Sequence, residues 1–85
     1  MILRIFIDEG NFESLMKSIP PGSDCHAALE EAVHFTNVGA ARAGSKAVIT
    51  CNDVTARDLL SHARGSCPTA VNTIGEAFRA AGLTP

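Results

Sequence analysis

Two short runs rich in β-branched and aromatic residues, at 2–7 and 46–51, each lead into a polar turn and then into a longer stretch of helical periodicity. Strand-like segments separated by paired helical stretches restrict the chain to a mixed α/β fold, with α+β as the alternative class, because each amphipathic helix must bury its stripe against a sheet or another helix. Only one core can be built from 85 residues, so positions 1–85 are read as one domain.

The first run alternates Ile2, Leu3, Arg4, Ile5, Phe6, Ile7 and closes on Asp8-Glu9-Gly10. Asn11 is then the expected N-cap of a helix carrying Phe12, Leu15, Met16 and Ile19 on one face, ended by Pro20-Pro21-Gly22. A second helix is expected from Ser23 or Asp24, with Cys25, Leu29, Ala32, Val33 and Thr36 on its inner stripe, and residues 38–45 read as a loop. After the second strand, Thr55 and Asp58 have the spacing of a capping box, and Ala56, Leu59, Leu60 and Ala63 form the stripe of a third helix closed by Gly65. Pro68 suits the first turn of a fourth helix, with Cys67 at its N-cap, Ala70, Val71, Ile74, Ala77, Phe78 and Ala81 inward, and Gly82 as its stop.

The halves 1–37 and 46–82 overlay. A shift of about 44 residues brings Ile5 onto Ile49, Asn11 onto Thr55 and Leu15-Met16 onto Leu59-Leu60; one residue more brings Leu29 onto Ile74 and Glu31-Ala32-Val33 onto Glu76-Ala77-Phe78. The expected architecture is therefore a pseudo-symmetric βααβαα unit, two adjacent strands covered on one face by four helices. A twofold perpendicular to the sheet would make those strands antiparallel. Leu3, Ile5 and Ile7 would share the covered face with Ala47, Ile49 and Cys51, leaving Ile2, Arg4 and Phe6 beside Lys46, Val48 and Thr50 on the other. A two-stranded sheet with two open edges is marginal alone, so completion by dimerisation through the sheet is expected, with Ile2, Phe6 and Val48 at the interface. Phe35, some 100° from the centre of the second helix's stripe, is a further contact candidate, suited to a helix–helix groove.

Bulk chemistry narrows the function. A net charge of −2, with Arg42, Arg57, Arg64 and Arg79 dispersed, supplies no basic patch for nucleic acid, and the absence of Trp and Tyr removes most stacking surface for bases. No apolar run reaches membrane-spanning length, and the first is too short for a signal-peptide core, so a cytoplasmic protein away from membranes is expected. Cys25, Cys51 and Cys67 contain no close pair, consistent with reduced thiols. His26, His34 and His62 fit no zinc-ligand spacing, His34 facing away from its helix's apolar stripe, and Gly39, Gly44 and Gly65 fit no phosphate loop. Neither metal nor other cofactor is expected.

The segment Ile5-Phe6-Ile7-Asp8, followed by Asn11-Phe12, resembles the opening strand of the NYN and PIN-like nuclease families. That resemblance implies Mg²⁺ held by Asp8 at a strand end, with Asp53 and Asp58 as further acids, since hard cations take oxygen ligands. The chain lacks the several parallel strands and the second pair of acids of such nucleases, and carboxylates equally serve turns and helix starts. No catalytic residue is therefore assigned. Asp8 and Asp53, for a metal-dependent hydrolase, and Cys67, for a thiol redox sensor at a helix N-terminus, stand as the alternatives. The leading expectation is a non-enzymatic, homodimeric interaction or regulatory module.

Overall fold

The structure, a computed structural model, describes residues 1–37 and 45–85. Its order is β1 (Ile2–Asp8), α1 (Glu9–Ser18), α2 (Asp24–Ala32), β2 (Val33–Asn37), β3 (Ser45–Asn52), α3 (Asp53–Arg64) and α4 (Pro68–Ala80). The mixed α/β class and the four helices agree with the sequence reading. The two-stranded sheet does not: there are three antiparallel strands in the order β1-β3-β2. The residues read as the last turn of the second helix, with Val33 and Thr36 on its stripe, are instead strand β2. Val33, His34, Phe35 and Thr36 are β-branched, aromatic or imidazole side chains of modest helix propensity, and pairing with the second edge of β3 decides their conformation. The overlay of Val33 on Phe78 thus sets a strand residue against a helical one. The loop expected at 38–45 lies outside the described residues except for Ser45, which opens β3.

Register places Ile5 opposite Ile49, Leu3 opposite Cys51 and Ile7 opposite Ala47, so the face predicted to be covered is covered. All six are buried, together with Phe12, Leu15 and Ile19, Leu29, the α3 stripe Ala56, Leu59, Leu60 and Ala63, and the α4 stripe Ala70, Ile74 and Phe78. Arg57 lies over the Phe78 ring at 5.0 Å, closing the α3–α4 seam with a cation–π contact.

Two caps differ from expectation. Asp8, not Asn11, is the N-cap of α1, because β1 runs into the helix with no intervening turn. Asn52, not Thr55, caps α3: its side-chain oxygen accepts from the Thr55 backbone N–H at 2.8 Å, so Thr55 is the donor of the cap and not its hydroxyl. Ser23, Gly65 and the Cys67-Pro68 start of α4 fall where the sequence put them. Gly82, at φ 78°, ends α4: the Leu83 N–H donates to the Phe78 carbonyl at 2.9 Å and the Gly82 N–H to that of Arg79 at 3.0 Å, a Schellman closure that favours glycine.

Candidate interaction surface

One face of the sheet packs on helices; the other carries Ile2, Arg4, Phe6 and Asp8 from β1, Lys46, Val48, Thr50 and Asn52 from β3, and His34 from β2. The strict alternation of buried and exposed residues along β1 produces this division. Ile2 and Phe6 are 64% and 58% exposed, large apolar side chains two pleats apart on one strand. Val48, expected to share that exposure, is buried at 8%, because the central strand places it between Phe6 on one side and His34 on the other. His34 accordingly belongs to this sheet face, not to the outer side of a helix. Lys46 donates to the Asp8 carboxylate at 2.6 Å across the β1–β3 pair. Among the described residues Arg4 has no such partner.

Phe35 is also strand-borne. It lies opposite Ala47, on the helix side of edge strand β2, 53% exposed and with its ring edge against Phe12. It does not join Ile2 and Phe6 in one patch.

β1 pairs with β3 on one side only, so no strand takes up the main-chain groups of its other edge, which α4 flanks. Along that edge α4 leaves a groove of about 210 Å³ lined by Arg4, Phe6, Thr73, Glu76, Ala77 and Ala80. The sequence reading missed this groove. Its signal is the run of small residues Thr73, Ala77 and Ala80, at i, i+4 and i+7, flanking the buried stripe of α4.

The fold sets the two acids of the alternative metal reading apart. Because β1 and β3 are antiparallel, Asp8 lies at the Lys46 end of the sheet whereas Asp53 follows Asn52 at the Ile2 end, a separation of about 20 Å along a seven-residue strand. Cation–oxygen bonds are about 2.0–2.6 Å long, so the two carboxylates cannot share an ion. No group of three potential ligands occurs among the described residues. Asp53 opens the first turn of α3, where its charge complements the helix dipole. Cys67 is buried at 8% at the N-cap of α4 and its thiol makes no cap bond. Burial pushes the Cys51 thiol up to about 11, with Cys25 adding to the shift. Cys25 is raised by its own burial and by Asp58. Both shifts disfavour the nucleophilic thiolate at neutral pH.

The chain matches no family model, no curated protein and no solved structure. No described helix is long and apolar enough to cross a membrane.

Proposed function

We propose that the chain is a non-enzymatic interaction module that acts as a homodimer, joined through the sheet. The observation that carries this reading is the exposure of Ile2 and Phe6 on the helix-free face of an edge strand. Fully burying an apolar side chain of this size is worth roughly 1.5–3 kcal/mol, and a twofold doubles each contribution.

Dimension decides which part of the sheet such a contact must include. Three strands about 4.8 Å apart and about 23 Å long offer a plan area near 330 Å², whereas a standard interface buries about 800 Å² per partner. The helix-free face alone is too small for a tight dimer. The free β1 edge and its α4 flank extend it.

An internal pseudo-twofold belongs to the same proposal. Asp8 to Asn52, the N-caps of α1 and α3, and Ser23 to Cys67, those of α2 and α4, span the same 44 residues. The symmetry ends where α2 gives way to β2 while α4 continues.

Sedimentation velocity between about 10 and 500 μM tests self-association. Wild type should move toward a dimer as concentration rises, Phe6→Asp should remain monomeric, and Ser61→Glu on the exposed side of α3 should behave as wild type. A wild-type monomer throughout that range would end the proposal.

A further inference from the structure

We infer that the free edge of β1 is a vacant strand slot, filled by β1 of a second copy in an antiparallel register centred on Phe6. This rests on the self-association proposed above and specifies its geometry. The joined sheet would run β2-β3-β1-β1-β3-β2, six strands without an open edge at the centre.

Three features of the chain support it. The first is backbone chemistry: the outer side of β1 has no strand partner, and the main-chain N–H and C=O groups of such an edge are satisfied by an extended main chain. Such a slot is already used once in this fold, since β3 takes β2 antiparallel along its own outer side. Under the pseudo-twofold, which carries β3 onto β1, the free β1 edge is the counterpart of the edge that β2 covers.

The second is charge. A twofold perpendicular to the sheet requires opposed residues to lie on the same face, so the centre can fall on Arg4, Ile5, Phe6 or Ile7. Centred on Arg4, the register opposes two guanidinium groups. Centred on Ile5, it sets Arg4 against Phe6 and Asp8 against Ile2. Centred on Ile7, it leaves Arg4 without a strand partner and sets Asp8 against Phe6. Only the Phe6-centred register opposes Arg4 with Asp8 twice, once on each side of a central Phe6–Phe6 pair, and opposes Ile5 with Ile7 on the covered face; Ile2 then lies beyond the paired span, and Phe6 is the exposed apolar residue that the strand contact covers. Opposite charges and aromatic pairs are the favourable cross-strand combinations. Arg4 is free of other ion pairs among the described residues, and Asp8 is exposed and makes no side-chain cap bond, so its second oxygen remains available beside Lys46.

The third is steric. On the α4 side the groove along this edge is lined by Thr73, Glu76, Ala77 and Ala80; Thr73, Ala77 and Ala80 have no more than three side-chain heavy atoms each, and Glu76 is a longer, exposed carboxylate. Small residues at this flank let the partner's strand, and its own α4, approach closely.

Charge exchange and cross-linking test the register. By cross-strand pairing strengths, doubled by symmetry, Arg4→Asp and Asp8→Arg should each weaken the dimer by about 10-fold or more, and the double variant should return to within about 3-fold of wild type. In a Cys25→Ser background, Phe6→Cys should oxidise rapidly to a covalent dimer, because directly opposed residues lie about 4.5–5.5 Å apart between Cα atoms, within disulfide range. Thr69→Cys, exposed at the start of α4, should not. A wild-type dimer with no recovery in the double variant, or with Phe6→Cys cross-linking no faster than Thr69→Cys, would overturn the β1 register while leaving self-association standing. A wild-type monomer would overturn both.

Discussion

The Phe35 ring meets the Phe12 ring edge-on, at 84° with centroids 5.5 Å apart, tying β2 to α1 across the covered side of the sheet. Phe12 is almost wholly buried, whereas Phe35 keeps 53% of its surface in solvent, so the contact shields the core margin as much as it fills it. Replacing Phe35 with Ala should lower stability by about 1–2 kcal/mol, combining half of a phenylalanine's burial with the loss of an aromatic pair, and Phe35→Leu should cost less. Urea unfolding reads both. Because Phe35 lies away from the β1 edge, neither variant should change the dimer's concentration dependence.

The caps of α3 give a second, local test. Asn52→Ala removes the oxygen that accepts from the Thr55 N–H and should cost about 1 kcal/mol. Thr55→Ala keeps the donating backbone group and should cost only a few tenths. The reverse order, measured by thermal or urea unfolding, would show that the Thr55 hydroxyl is the cap.

Alkaline pH should destabilise the fold through Cys51. Its folded-state value, near 11, lies above the ordinary thiol value of 9.0, so the folded chain holds this proton after the unfolded chain has released it. The contribution is therefore fully present below about pH 9 and is lost as pH rises through 11. The slope approaches about 1.4 kcal/mol per pH unit, the equivalent of one proton, within that window. Cys51→Ala removes this component, so its unfolding free energy should fall less steeply from pH 9 to 11 than that of wild type. Equal slopes in the two proteins would show that the thiol ionises as easily in the folded chain as in the unfolded one.

Sequence alone determined what depends on neighbours along the chain. The alternation of residues 2–8 places Leu3, Ile5 and Ile7 on one side of any sheet they join, and Pro68 and Gly82 bound α4 through fixed backbone preferences. These follow from local sterics and hold whatever packs above them. Tertiary structure decided what depends on a distant partner. Val33 and Thr36 continue the helical spacing of Leu29 and Ala32, yet the open edge of β3 offers a main-chain ladder that a last helical turn cannot match, and the segment becomes β2. The same addition turned Val48 from an exposed residue into a buried one and moved His34 and Phe35 from a helix to opposite faces of a strand. Antiparallel pairing likewise set Asp8 and Asp53 at opposite ends of the sheet. Strand direction and edge occupancy are settled by long-range hydrogen bonding, and neither is written in the spacing of side chains within a segment.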